Sequence, residues 1–435
     1  MASDRPPRRW PHVVLLTNPH SKRTAAFLRA ASARGWPAPL VVDWADWLDR
    51  RVSLAAVQRP GDWLRLESPG ESWEIERRFL ELGIEPLGQE GEHPLSAGEL
   101  LRCAGSRGEI HRPRQWYLGL CRALDRVEVE LAEFQSGERP LGAESGDQTF
   151  RDVTCFIKPR EVAVLFDKGA CQPLFEQSGL PIPPFRLNLT SYDAIRHAYR
   201  DRQHARLMLK LRHGFSAIGA VALEWNGARV RAITTTERVA TAEGDRLFLS
   251  KRVHHLLNEV EIASLVDRFA LEGLIVEDWL PKDRIDGQQY DVRALVIDGQ
   301  LRHVVGRGSA SPFTNLNLDG NRIDASRIAS RLGERWHDAR KICEWAAGCF
   351  PGALTVGVDL LIRPNQGFAL LEANAFGDNL PGLLEGGEDP HGAQLRAIEQ
   401  RMVSSGQIQD VTVERHADGV ESRRTGGLAF AGVPR

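Results

Sequence analysis

One stretch constrains the fold of this chain more than any other: LTVGVDLLIRPNQGFALLEAN, residues 354–374. Two apolar runs flank Pro364-Asn365-Gln366-Gly367, which predicts a β-hairpin. For a loop symmetric about that tetrapeptide, Asp359 lies directly opposite Glu372. Asn374 is two residues on and shares the face of Glu372. Like charges facing each other on a strand pair are destabilising unless something neutralises them. An accidental pair on a solvated hairpin face is the plainer reading, but VGVDLLI and FALLEAN are apolar on both sides of each acid. A hard divalent cation resolves the conflict, and an all-oxygen set suits Mg²⁺ or Mn²⁺. Asp359, Glu372 and Asn374 are therefore the candidate metal ligands.

A second stretch, RLMLKLRHGFSAIGAVALEW, places Lys210 inside an apolar strand, ahead of a Gly-bounded loop, Gly214–Gly219, and another strand. It is not a P-loop, because Ala220-Val221 follow the second glycine where Lys and Ser/Thr would stand. The order lysine, loop, strand fits a hairpin whose tip folds over phosphates while Lys210 reaches them from below. Taken alone, it fits equally a snorkelling lysine beside a turn.

A third stretch runs a buried strand, Leu274–Val276, into Glu277-Asp278-Trp279-Leu280-Pro281. A polar loop follows, then two strands, Asp291–Ile297 and Leu301–Gly306, joined by the hairpin dipeptide Asp298-Gly299. Arg293 shares the face of Asp291, and Arg307 ends the next strand ahead of the amide-rich run TNLNLDG. Two arginines near a carboxylate metal site are what an anionic transition state needs. The alternative for Arg293 is a structural ion pair with Asp291 or Asp359.

Taken in order, these features resemble the ATP-grasp superfamily, most closely its ribosomal-protein-modifying glutamate ligases and related carboxylate–amine ligases. The resemblance covers about Val153 to Leu384. Its motifs are Asp167-Lys168 before a helix and the GLPIPP turn, Lys210 with its Gly loop, and the Val-Glu-Asp-Trp-Leu hinge. Asp-Val-Arg at 291–293, Thr-Asn-Leu at 314–316, Gly-Val-Asp at 357–359 and Glu-Ala-Asn at 372–374 complete the set. The resemblance implies an N-terminal α/β, pre-ATP-grasp-like domain (1–150 with a disordered leader). The two-subdomain ATP-grasp fold follows (151–255 and 256–400), then a partly disordered tail, 401–435.

It further implies roles by position. Lys210 and Lys168 contact ATP phosphates. The stretch Glu277, Asp278, Trp279 and Leu280 holds adenine through backbone groups. Asp291 meets the nucleotide near the ribose, and Asn315 meets its phosphate end. Asp359, Glu372 and Asn374 ligate Mg²⁺, or Mn²⁺. Arg293, Arg307 and Lys210 form the catalytic set, stabilising the phosphoryl group or holding the acceptor carboxylate. The implied reaction phosphorylates a carboxylate to an acyl phosphate, which an amine or a thiol then attacks. The acceptor class is an amino acid, small peptide or related metabolite. Two alternatives stay open: modification of a protein or ribosomally made precursor peptide, and nucleotide binding or kinase action without ligation. One departure falls beside the acceptor side: Ala375-Phe376-Gly377-Asp378-Asn379 intervenes before Leu380-Pro381-Gly382.

Upstream, Val13–Thr17, a helix over Thr24–Arg34 ended by Gly35, and Leu40–Val42 read as a βαβ opening. No dinucleotide fingerprint sits at its first turn, TNPHSKR. Ser68-Pro69-Gly70-Glu71 reads as a capping box before a helix at Trp73–Leu82. Loop is expected around 85–97, helix near Gln115–Gln135, a linker at 136–148, and a polar tail from Ser404. With 56 Lys+Arg against 58 Asp+Glu, the formal net charge of −2 disfavours a general nucleic-acid binder. No apolar run approaches the roughly 20 residues that span a bilayer. Six cysteines without metal spacing read as buried reduced thiols, and so as a cytoplasmic chain.

Overall fold

The computed structural model describes residues 10–405 except 71, 85–93, 104, 137–151, 242–243, 317, 319, 366 and 378–380. The expected leader, linker, most of the 85–97 loop and nearly all of the tail fall outside the described residues.

The first part of the chain is β1 (Val13–Thr17), α1 (Lys22–Ala33), β2 (Leu40–Asp43), α2 (Trp44–Leu48), α3 (Leu54–Val57) and β3 (Trp63–Leu66). Then come α4 (Trp73–Leu82), α5 (Ala97–Arg102), α6 (Pro113–Ser136), β4 (Thr154–Cys155), α7 (Pro159–Phe166) and α8 (Lys168–Gln177). The strands form one parallel sheet in the order β2-β1-β3-β4. Val14, Leu16, Leu64 and Leu66 face α4 and α6 on one side, while Val13, Leu15 and Trp63 meet α1 and the C-terminal helix on the other. A continuous apolar strand such as Val13–Thr17 is what burial on both faces requires. The α4–α6 crossing is close. A Cβ on Gly119 would stand 1.8 Å from the Phe79 carbonyl oxygen, so only glycine lets the two backbones touch.

The helix at Trp73–Leu82 is present, but its N-cap is Ser72, not Ser68. Ser68 Oγ instead accepts from Gly70 N, four residues too early to cap the helix. The hydroxyl made a local turn, the usual competitor of an N-cap.

The next elements are β5 (Phe185–Leu187), α9 (Tyr192–Ala198), β6 (His204–Leu211), β7 (Val221–Asn226), β8 (Arg229–Thr241), β9 (Gly244–Leu256), α10 (Glu259–Leu271) and β10 (Leu274–Asp278). They build an antiparallel sheet, β5-β10-β6-β7-β8-β9. Leu207, Leu209 and Leu211 pack on α9 and α10, which leaves Met208 and Lys210 on the opposite face.

The last elements are β11 (Arg284–Ile285), β12 (Gln288–Ile297), β13 (Gln300–Ser309), β14 (Asn321–Ile323), α11 (Ala325–Leu332), α12 (Arg335–Gly348), β15 (Thr355–Ile362), β16 (Phe368–Asn374) and α13 (Pro390–Ser404). This second antiparallel sheet runs β14-β13-β12-β15-β16, with β11 beside β12. Tyr290, Val292, Ala294, Val356, Val358 and Leu360 share a core with Ala339, Cys343 and Ala346 of α12. The alternate residues of β12 and β15 face the other way, and there the charged side chains lie. The six cysteines are free, but only Cys171 and Cys343 are buried; the other four are half-buried. No helix among the described residues is long and apolar enough to cross a membrane.

A buried polar strap ties the first sheet to the last. Arg65 of β3 donates to Gln394 Oε1 of α13 and to Glu67 Oε2, both at 2.6 Å, between the rings of Phe27 and Phe156. Gln394 in turn donates to Thr355 of β15. Beside them, burial and the Arg65 charge push His391 down to about 4. The unfolded chain therefore binds a proton that the folded chain refuses, so stability present above pH ~6.5 is lost as pH falls toward ~4. Urea unfolding of His391→Gln should lose on the order of 2 kcal/mol less between pH 7 and 4.5 than wild type does. Equal pH slopes for the two proteins would contradict this.

Candidate functional site

The charges gather where the free face of the second antiparallel sheet looks toward Lys210. In register, Arg293 of β12 pairs with Asp359 of β15, and Asp359 pairs with Glu372 of β16. Asp291 of β12 pairs with Arg307, which lies inside β13 and not at its end as the sequence suggested. The hairpin register at Asp359–Glu372 is as expected, but by a different route. Pairs nearer the loop are offset by one, and an irregularity between Asp359 and Leu360 restores the alignment.

These side chains form a lattice of alternating sign. Arg293 donates to both oxygens of Asp359, and Arg307 Nη2 lies 3.0 Å from Asp359 Oδ2. Arg307 Nε donates to Asp291 Oδ1 at 2.8 Å, and Lys282 Nζ reaches Asp291 Oδ2 at 3.2 Å. Thr314 also donates to Asp291 and takes a hydrogen bond from Lys282. Asp359 is 3% exposed, Asp291 1% and Arg307 8%, so none of these charges survives without its neighbours. Burial opposes the charged forms of Asp359 and Asp291, but the arginines, joined at Asp291 by Lys282, outweigh it and hold both carboxyls below their ordinary range. Arg307 is held above its own. Lys282 goes the other way: burial, reinforced by Arg307, pulls its pKa down.

The facing wall carries Lys210. Its Nζ lies 2.7 Å from Glu277 Oε2, and Gln172 of α8 donates to the other oxygen, Oε1. Burial works against the ammonium, but Glu277 and Glu372 outweigh it and raise the Lys210 pKa. At one end Lys168, the first residue of α8, lies 3.7 Å from Glu372 Oε2 and donates to the Gly214 carbonyl. Thus Lys168, Lys210, Glu277, Asp291, Arg293, Arg307, Asp359 and Glu372 converge. Asn374 lies two pairs along, opposite Gly357, with a buried Nδ2 that has no partner among the described residues.

The hinge differs from expectation. Glu277 and Asp278 belong to β10, and alternation puts Asp278 on the helix-packed face, where Arg202 holds it at 2.7 Å. The Asp278 and Trp279 N–H groups are already given to the Pro184 and Arg206 carbonyls. Neither N–H can meet a base. Leu280 N–H has no backbone acceptor among the described residues, which leaves it and the carbonyls of this stretch. Arg206 covers the Trp279 ring at 3.9 Å. A cavity of about 320 Å³ opens beside them, lined by Trp279, Pro281, Lys282, Asp283 and Gln289 among others. That volume is at the low end of small-molecule pockets. Asn315 lies half-buried in the loop after β13, between Phe313 and Leu318, which pack on Ala220 and Ala222 of the facing sheet. Its neighbour Thr314 is tied into the charge lattice.

Lys282, Thr314 and Gln172 were missed in the sequence. Lys282 sits in a loop without periodicity and Gln172 is one polar residue on a helix, so pattern carried no signal for them; Thr314 lies in the Thr-Asn-Leu motif, whose role the resemblance assigns to Asn315. Among the described residues no three acidic, histidine or cysteine side chains gather as a metal cluster. The donor set still suits a hard cation: Asp359 and Glu372 are carboxylates in cross-strand register, and Asn374, on the same strand face as Glu372, carries an amide oxygen. Asp359→Ala should cost about 3–5 kcal/mol in urea unfolding, because two buried arginines lose their partner. Glu372, with its side chain 29% exposed, should cost under about 1 kcal/mol as alanine. Equal losses would contradict the lattice.

Neither a protein-family model nor a curated protein sequence matches the chain. Solved structures do. D-cycloserine synthetase DcsG aligns over 90% of this chain and 99% of its own, at 14% identity and a TM-score of 0.51. The ADP complex of PurK, N5-carboxyaminoimidazole ribonucleotide synthetase, aligns over 90% and 78%, at 11% identity and 0.50. The ATP-grasp ligase PsnB with its minimal precursor aligns over 90% and 100%, at 15% and 0.49. The chain has the ATP-grasp fold.

Proposed function

We propose that this chain, on the ATP-grasp fold just described, is a Mg²⁺-dependent ligase that joins a carboxylate to an amine, or a thiol, at the expense of ATP. The observation that carries the reading is Asp359 facing Glu372 across a hairpin, opposite a half-buried Lys210 and beside two buried arginines. In this reading residues 151–400 bind nucleotide and residues 1–150 contribute to the acceptor side. The acceptor class is an amino acid, small peptide or related metabolite.

Asp359, Glu372 and Asn374 would hold Mg²⁺, which supplies charge neutralisation at the phosphates when bound. Lys210 and Lys168 donate to phosphate oxygens. Glu277 through Leu280 border the base, using Leu280 N–H and backbone carbonyls. Asp291 and Asn315 flank the ribose and the phosphate end. Arg293 and Arg307 stand where charge develops on the transferred group, preset by their carboxylate partners so that little reorganisation is needed. An acceptor carboxylate oxygen bonds to the γ-phosphorus as the bond from phosphorus to the ADP oxygen breaks. The lone pair of an amine then attacks the acyl carbon, the bond to phosphate breaks, and the ammonium proton passes to solvent. No protein nucleophile is needed, so positioning and electrostatics do the work.

The test is a screen of carboxylate and amine pools for ADP release, then product analysis with an ¹⁸O-labelled carboxylate. One ¹⁸O should pass to inorganic phosphate in each turnover, as an acyl phosphate requires. Lys210→Ala should lower turnover by at least about 100-fold, the loss of one preset charged donor. Release of unlabelled phosphate would contradict acyl transfer, and an unchanged Lys210→Ala rate would mean Lys210 only packs.

A further inference from the structure

The loop after β6 does not stand free over the cleft; it is docked on the N-terminal part of the chain. Phe215, near its tip, lies 5.7 Å from the Trp116 ring of α6. His213, at its base, stacks on Tyr117 at 4.0 Å with the planes 10° apart. The Asp167 carboxylate takes both Arg212 Nε and Arg212 Nη2, at 2.6 and 2.7 Å, and Lys168 holds the Gly214 carbonyl. The loop therefore has a charged anchor from α8 and an aromatic anchor from α6. Ser216 and Ala217 both have positive φ, 51° and 62°, a conformation that non-glycine residues hold only when surroundings impose it.

Phe215 is 43% exposed, so its contact with Trp116 covers only part of the ring. Trp116 is 7% exposed and its indole N–H has no hydrogen-bond partner among the described residues, so ring contacts are what hold it. Those contacts extend further. Trp116 meets Phe166 of α7 at 5.8 Å, and Phe166 meets Phe376 at 5.6 Å, two residues past Asn374. Arg23 of α1 donates to the Phe376 carbonyl and to Glu67. Trp116 thus touches the tip of the loop on one side. On the other it reaches, through one ring, the segment that leaves the carboxylate-bearing strand β16.

We infer that Trp116 and Tyr117 of α6 are positioning residues: they latch the 213–219 loop in its closed place and tie that place to the segment following β16. This rests on the reading that the loop covers bound nucleotide. Neither residue touches the reacting atoms; each acts through the loop. Loss of the latch leaves the fold and the charge lattice intact and lets the loop open more often.

The test uses Phe215→Ala, at an exposed position that core packing does not need, with Phe215→Tyr as the conservative control. Amide exchange is followed at Ile218, whose N–H donates to the Phe215 carbonyl. In protein without nucleotide, exchange should quicken at least about fivefold in Phe215→Ala and stay near wild type in Phe215→Tyr. In turnover, KM for ATP should rise severalfold in Phe215→Ala with kcat changed much less, and Phe215→Tyr should restore it. Unchanged exchange in Phe215→Ala overturns the latch. Faster exchange with an unaltered KM overturns the positioning role. A wild-type protein that neither binds nor turns over ATP would refute the function, and the exchange arm would still decide the latch.

Discussion

Everything at the site depends on how four buried charges on β12, β13 and β15 neutralise one another. Asp291 and Asp359 alternate with Arg293 and Arg307 on one face of a sheet whose other face is plain hydrocarbon. Desolvating any one of them alone would cost several kcal/mol, so the lattice stands or falls as a unit. Its value is in geometry, since well-packed apolar residues could stabilise the same sheet as well or better. A rigid array of preset charges opposite a lysine suits a reaction in which negative charge moves between oxygens. Solvent would have to reorganise around that charge, and a preset array does not.

The sheet arrangement explains how a chain with near-zero net charge concentrates ions here. β-Alternation sends every second residue of β12 and β15 toward α12; on the other face Asp291, Arg293 and Asp359 meet the cleft, while Ile297 and Thr355 meet the α13 side. Lys210 and Glu277 reach the same cleft from the facing sheet, because their pleat is set by Leu207, Leu209 and Leu211 packing on α9 and α10. The parallel sheet closes the third side through the Arg65–Gln394–Thr355 strap and the Arg23–Phe376 contact.

Much of this was legible in the sequence, and the physical reason is period. Asp359 opposite Glu372 followed from two apolar runs around a turn, and Arg293 sharing the face of Asp291 followed from spacing of two. The compensating irregularity beside Asp359 was not legible, since nothing in FALLEAN marks an extra residue. Arg307 was placed at a strand end, but β13 runs on to Ser309, with Gly306 and Gly308 on either side of Arg307. In the sheet they are needed for close packing of Ile323 and Ile328. Lys282 and Thr314 act from loops, where contact is set by tertiary structure alone. Ser68 looked like a cap because its spacing to an acid was right, yet Ser72 stood nearer the helix. The docking of Phe215 on Trp116 joins residues about a hundred positions apart, which no local pattern encodes.

The most direct test of the central claim is calorimetric titration of ATP into the purified protein, with and without Mg²⁺, alongside Glu372→Ala. Binding should be saturable, strengthen with Mg²⁺ and lose that dependence in the variant, while the variant stays folded. Binding that is indifferent to Mg²⁺, or a Mg²⁺ effect that survives in Glu372→Ala, would contradict it.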